Sequence, residues 1–171
     1  LAVFAGSALA LLAEALNRSI RSPDDVFKYL QGPLLSVIPL HDLERDERGR
    51  PYFGFVKSPH SVYAEAFRTL RTGLLLGREE EGCEVTMITS AGGGEGKSST
   101  AINLSHVLSQ MGRTLLIEAD LRKPSPPKTF ELPNSEALGR GDLLSGEARI
   151  TDALVALDQH LDVLLPGHPR T

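Results

Sequence analysis

Residues 85–98 read Val-Thr-Met-Ile-Thr-Ser-Ala-Gly-Gly-Gly-Glu-Gly-Lys-Ser, and this run restricts the fold more than any other part of the chain. Val85–Thr89 is a short β-prone stretch, and the glycines after it lead into Lys97, Ser98 and Ser99. Beyond them Ala101, Leu104, Val107, Leu108 and Met111 recur at the spacing of one helix face. A strand, a glycine-rich loop and a helix, in that order, are what a phosphate-binding loop requires. Residues without a Cβ let main-chain N–H groups close around phosphate oxygens, and the helix N-terminus adds partial positive charge. The candidate nucleotide-binding residues are therefore Gly92, Gly93, Gly94, Glu95, Gly96, Lys97, Ser98 and Ser99. Lys97 has the reach to meet the β- and γ-phosphates of ATP, and the Ser98 hydroxyl is a candidate Mg²⁺ ligand. Ala91 stands where the common pattern has its first glycine; being small, it still permits the bend.

A second apolar run, Thr114–Ile117, follows the predicted helix, so residues 85–117 read as one βαβ unit. Its end carries Glu118 and Asp120. Ligands of open α/β sheets bind at the carboxyl ends of the strands, which brings both acids towards the phosphates. Either can hold Mg²⁺ through water or orient an attacking hydroxyl; the plainer alternative is that they cap the next turn and pair with Arg122 or Lys123. Pro124, Pro126, Pro127 and Pro133 make the following segment irregular. Asp142–Leu144 and Ile150–Leu157 are expected to be helical, and Leu161–Leu165 to be a further strand. The resulting fold class is α/β: a partial parallel sheet of the P-loop NTPase type with flanking helices, preceded by the end of a transmembrane helix.

That membrane reading rests on residues 1–16. Leu1–Ala13 is uncharged and rich in Leu and Ala, and Asn17, Arg18 and Arg21 follow it as the positive-inside rule expects. Residues 17–60 read as a juxtamembrane segment and linker. Within them Ser22-Pro23-Asp24-Asp25 starts a short helix, Leu34–Ile38 is a brief strand, and His41–Ser61 is a charged run broken by Gly and Pro. Residues 61–171 form the N-terminal part of the nucleotide-binding domain. Its first helix carries an apolar stripe of Tyr63, Phe67, Leu70 and Leu74, with Glu65, Arg68 and Arg71 along an adjoining side. Spacing alone makes those three an exposed Glu–Arg pair and a solvated arginine; the sharper reading is a surface that bridges to a second copy. A formal net charge of −4 argues against nucleic acid as a partner, and the single Cys83 forbids an intrachain disulfide.

Together these residues resemble the bacterial tyrosine kinases fused to polysaccharide co-polymerases, inner-membrane regulators of capsule and exopolysaccharide chain length. The resemblance runs from about Leu1 to Leu165. Ala91–Ser98 is similar to the family's Walker A loop, Leu115–Pro124 to its second motif, and Glu65, Arg68 and Arg71 to its EX2RX2R motif. Arg21-Ser22, Asp25-Val26, Gly32-Pro33 and Ile38-Pro39 look like its juxtamembrane segment. The resemblance implies a membrane-bound tyrosine autokinase whose kinase part faces the cytoplasm and uses ATP and Mg²⁺. It further implies a ring-like homo-oligomer assembled through Glu65, Arg68 and Arg71, phosphorylation in trans, and partners in the polysaccharide polymerisation and export machinery. Lys97, Glu118 and Asp120 take the catalytic places, with Ser98 and Asp120 on the metal.

Three features depart from the family pattern. Glu118 stands where the second motif has its first aspartate, and its carboxylate reaches about one bond further. A Walker B motif is missing: Leu154–Leu157 before Asp158 mimics one, but Ile150, Leu154, Leu157 and Leu161 are spaced for a helix. The family's terminal tyrosine cluster is missing too, since Tyr29, Tyr52 and Tyr63 all precede the loop. The expected explanation is a portion of a longer product, inactive and unstable by itself because its loop-bearing strand lacks a neighbour. Two other functions fit the same sheet. One is a partitioning or septum-positioning ATPase, which usually carries a lysine at the position of Gly92; the other is a non-catalytic scaffold that regulates polymer length by oligomerising.

Overall fold

The computed structural model describes residues 2–16, 20, 22–30, 32–40, 53–77, 85–120, 139–146 and 148–166. In chain order they form α1 (Ala2–Leu16), α2 (Pro23–Leu30), α3 (Gly54–Lys57), α4 (Val62–Leu76), α5 (Lys97–Ser109), β1 (Thr114–Ile117), α6 (Arg140–Leu144), α7 (Ile150–Ala153), β2 (Leu154–Asp158) and β3 (Leu161–Leu164). Residues 1–37 and 38–171 make two compact units.

In the first unit, α1 leaves Val3, Phe4, Leu9, Leu11 and Leu12 exposed. Among the described residues no helix is long and apolar enough to cross a membrane. The start of α2 is fixed by a reciprocal pair: the Ser22 N–H donates to Asp25 Oδ2 at 3.0 Å and the Asp25 N–H to Ser22 Oγ at 3.3 Å. This is a capping box with aspartate in place of the usual glutamate, as the Ser-Pro-Asp-Asp run predicts. Leu34–Ile38, expected to be a strand, joins no ladder among the described residues. Pro33 and Pro39 bracket it and lack the N–H groups that ladder pairing would use.

The second unit is built around α5, which buries residues on more than one side. Leu104 and Val107 join Phe55, Tyr63, Ala64 and Phe67 in one core, with Ile38, Leu70, Leu74 and Ile88 packed against it. Ile102 faces the sheet instead, in a second core with Phe53, Val163 and Leu165. A helix held between another helix and a sheet has no wet face along most of its length. Its small polar residues therefore bond to their own backbone: Ser105 Oγ donates to the Ile102 carbonyl at 2.7 Å and Ser109 Oγ to that of His106 at 2.9 Å. The stripe read on α4 is the one that packs inward, and Ser61 caps that helix by accepting the Ala64 N–H at 3.1 Å.

The sheet has the order β1-β3-β2. β1 and β3 are parallel, with Thr114 opposite Leu161 and Ile117 opposite Leu164. β2 returns antiparallel to β3 through a tight turn in which the Gln159 N–H donates to Asp158 Oδ1 at 2.7 Å. Two expectations are corrected here. Ile150–Leu157 is not one helix: the helix stops at Ala153 and Leu154 is already extended. The apolar spacing there suits both structures, and cross-strand pairing with Leu161–Leu164 decides for the strand. Val85–Thr89, read as the strand before the loop, pairs with no strand among the described residues. Val85 and Met87 are 91% and 83% exposed, and Ile88 alone anchors the run in the helical core. A strand needs a neighbour to satisfy its N–H and C=O groups, and the described residues supply none there.

Phe67 has no solvent exposure whereas Leu76, on the same helix, is 82% exposed. Phe67→Ala is expected to destabilise the protein by about 3–5 kcal/mol, and Leu76→Ala by less than about 0.5 kcal/mol. Urea-unfolding midpoints of the two variants check this; equal midpoints would contradict the assigned core.

Candidate nucleotide-binding site

Short loops that turn sharply before a helix need residues free of a Cβ. Gly94 and Gly96 have φ of +78° and +84°, a region that side chains rarely allow. Gly96 then serves as the N-cap of α5, and the first bond of the helix runs from the Thr100 N–H to the Gly96 carbonyl at 2.8 Å. The amides of Lys97, Ser98 and Ser99 precede that bond and belong to the turn whose N–H groups have no acceptor within their own helix. With the helix dipole behind it, this turn is a candidate anion site.

Two charged side chains brace the loop. Lys97 Nζ donates to Ser90 Oγ at 2.8 Å and to the Gly92 carbonyl at 2.7 Å. The Gly92 N–H donates to Glu95 Oε2 at 2.9 Å, and Ser90 Oγ donates to the Gly92 carbonyl at 2.9 Å. Both main-chain groups of Gly92 are thus held by side chains. A Cβ at Gly92 would come within 3.3 Å of Glu95 Oε1, so this glycine also makes room for the brace. The Glu95 carboxyl is held below the usual glutamate range, first by the Gly92 N–H, with the Lys97 charge adding to it.

The strand end contributes as expected in place, and less directly in chemistry. α5 packs on β1 and is followed at once by it, so the start of the helix lies at the carboxyl end of the strand, where Glu118 and Asp120 stand. The Glu118 N–H donates to the Leu164 carbonyl at 3.1 Å, and Glu118 Oε1 accepts the Asp120 N–H at 3.0 Å. Glu118 therefore caps the turn that it begins, while Asp120 is exposed. Arg122 and Lys123 lie outside the described residues. Asp158 does end a strand, but β2 runs against β1 and β3, so it sits at the opposite end of the sheet from the loop. It is no substitute for a Walker B aspartate.

Glu65, Arg68 and Arg71 all make contacts within the chain. Arg68 pairs with Glu65 at 3.0 Å, donates to the Pro59 carbonyl at 2.7 Å and lies over the Phe55 ring. Arg71 donates to the Val107 carbonyl at 3.2 Å and to Gln110 Oε1 at 3.5 Å, placing a cation at the negative end of α5. Sequence reasoning missed Asn103 and the Tyr63 hydroxyl. Asn103 has no solvent exposure: it accepts the Phe55 N–H at 2.8 Å and donates to the Ser99 carbonyl at 2.7 Å and to the Tyr63 oxygen at 3.2 Å. An amide side chain one helical turn after Ser99, beside the apolar Ile102 and Leu104, was the available signal.

No family model matches the chain. Individual proteins do. It is 41% identical over 111 residues to the tyrosine-protein kinase YwqD of Bacillus subtilis, an alignment covering 64% of this chain and 46% of that protein. It is 31% identical over 182 aligned positions to the putative tyrosine-protein kinase EpsB of Ralstonia solanacearum, covering 99% of this chain and 24% of that protein. Among solved structures it superposes on the kinase domain of the Escherichia coli tyrosine kinase ETK with a TM-score of 0.77 at 24% identity, covering 89% of this chain and 61% of that one. The chain therefore spans about a quarter to a half of the length of the curated relatives it matches.

The lowered Glu95 carboxyl has a pH consequence. Its brace on Gly92 is fully present above the unfolded value of the group and is lost as the pH falls from that range through the lower folded value. A carbon-13 titration of the Glu95 carboxyl is expected to show it ionising below the usual glutamate range; an ordinary midpoint would remove the brace from the account.

Proposed function

We propose, for a chain that belongs to the bacterial tyrosine kinases, that its phosphate loop holds ATP in a membrane-associated protein-tyrosine autokinase. The observation that carries this reading is the loop itself: left-handed Gly94 and Gly96, amides opening at the start of α5, and the Lys97 ammonium folded onto Gly92 beside them. These residues fit a triphosphate. ATP, when bound, supplies the phosphoryl group that a tyrosine hydroxyl accepts. The chain's part is positioning and charge neutralisation more than covalent chemistry.

In this reading the amides of Gly93–Ser98 hold phosphate oxygens. Lys97 exchanges its bonds to Ser90 and Gly92 for oxygens of the terminal phosphates. Among the described residues no three His, Cys, Asp or Glu side chains converge as a metal cluster. Mg²⁺ is therefore assigned to Ser98 and Asp120 together with the nucleotide's own oxygens and water, the usual arrangement for this hard, small cation. Glu118 or Asp120 orients the tyrosine proton, with Glu118 turning out of its contact to the Asp120 N–H when it does so.

The wider role rests on further observations. The exposed apolar residues of α1 support a membrane-associated N-terminal segment. The Glu65 side chain, 68% exposed, is open to arginines of a second copy, which supports self-association and phosphorylation in trans through the Glu65, Arg68 and Arg71 motif. A place in the polysaccharide polymerisation and export machinery at the bacterial inner membrane follows from the family.

Lys97→Met is expected to weaken ATP binding by about 1.5–3 kcal/mol and to abolish phosphotyrosine formation by the full-length protein with Mg·ATP. Labelled-nucleotide titration and phosphotyrosine detection check the two effects. Equal affinities would refute the loop assignment, and a binding protein that never forms phosphotyrosine would refute the kinase.

A further inference from the structure

Asn103 fixes the direction of a short hydrogen-bond chain that ends in the phosphate loop. Its Oδ1 accepts the Phe55 N–H at 2.8 Å, which settles the orientation of the amide and makes Nδ2 the donor. Nδ2 donates to the Ser99 carbonyl at 2.7 Å and to the Tyr63 oxygen at 3.2 Å. Tyr63 Oη lies 3.3 Å from Ser99 Oγ, a contact in which either hydroxyl can donate. Because the Tyr63 oxygen already accepts from Asn103, the direction that serves both groups is Tyr63 O–H to Ser99 Oγ. The ring is 7% exposed and stands edge-on to Phe67 at 5.0 Å between centroids, so packing fixes where its hydroxyl falls. Burial pushes the Tyr63 phenol up, against the smaller opposing effect of Ser99, so it keeps its proton at neutral pH.

We propose that Tyr63 is a positioning residue for the bound nucleotide: by donating to Ser99 Oγ it turns the Ser99 proton outward, towards a phosphate oxygen at the start of α5. This rests on the nucleotide-site reading above and adds a residue from another element to it. It also gives α4 a hold on the loop. Tyr63 shares α4 with Glu65, Arg68 and Arg71, and Arg71 grips the far end of α5 at Val107.

The test is a double-mutant cycle on the full-length protein, titrated with a fluorescent ADP analogue in Mg²⁺. Tyr63→Phe keeps the packed ring and removes only the hydroxyl. Tyr63→Phe and Ser99→Ala are each expected to weaken binding about three- to tenfold, and the double variant no more than the worse single one. In Tyr63→Phe, KM for ATP is expected to rise by the same factor, well beyond any fall in kcat, a split that general loosening of the fold would not produce. Unchanged affinity in Tyr63→Phe, or losses that multiply in the double variant, would overturn the proposal and leave the nucleotide site standing. A wild-type protein that fails to bind ADP would overturn both. Should Tyr63→Phe not fold, Ser99→Ala must lose affinity at an unchanged thermal midpoint, and full affinity there would overturn the proposal.

Discussion

The carboxamide of Asn103, sealed from solvent, ties together the first residues of α3, the Tyr63 end of α4 and the first turn of α5. In so dry a place a polar group left without partners costs several kcal/mol on the cyclohexane scale, so the three segments are constrained to arrive together. Apolar contacts between α4 and α5 are non-directional and would tolerate a slide or a rotation. The amide does not, because its donor and acceptor ends face different segments. The start of α5, and with it the mouth of the phosphate loop, takes its position from that bond set as much as from the glycines.

The loop handles its charges in a related way. Lys97 and Glu95 are close enough to feel one another, yet each bonds to backbone or hydroxyl groups of the loop. The loop is therefore held in shape by contacts from its own side chains to its own backbone. Preorganisation of this kind lowers the ordering that binding must impose.

Much of this was readable from local sequence, for local reasons. Ser22 and Ser61 are capping residues wherever their helices pack, and the Tyr63-Phe67-Leu70-Leu74 stripe is fixed by helical pitch. The sharp turn before α5 is legible because Gly94 and Gly96 answer to backbone geometry. What failed depends on neighbours. Leu154–Asp158 is a strand only because Leu161–Leu164 lies alongside, and Val85–Thr89 has no such neighbour among the described residues. Asn103 and the hydroxyl of Tyr63 are ordinary helix residues until a third segment, at Phe55, defines them. Arg71 read as solvated because the end of α5 that it meets is remote in sequence.

Among the described residues β2 forms one border of the sheet, and its ladder is interrupted between Ala156 and Asp158, where register with β3 shifts. A bulge of this sort bends the chain and increases its twist, so the outward row of amides and carbonyls is no longer straight. Foreign strands add most readily to flat, regular borders. The kink at Leu157, with the Asp158 carboxylate beside it at the strand's end, thus guards this margin against fibrous stacking.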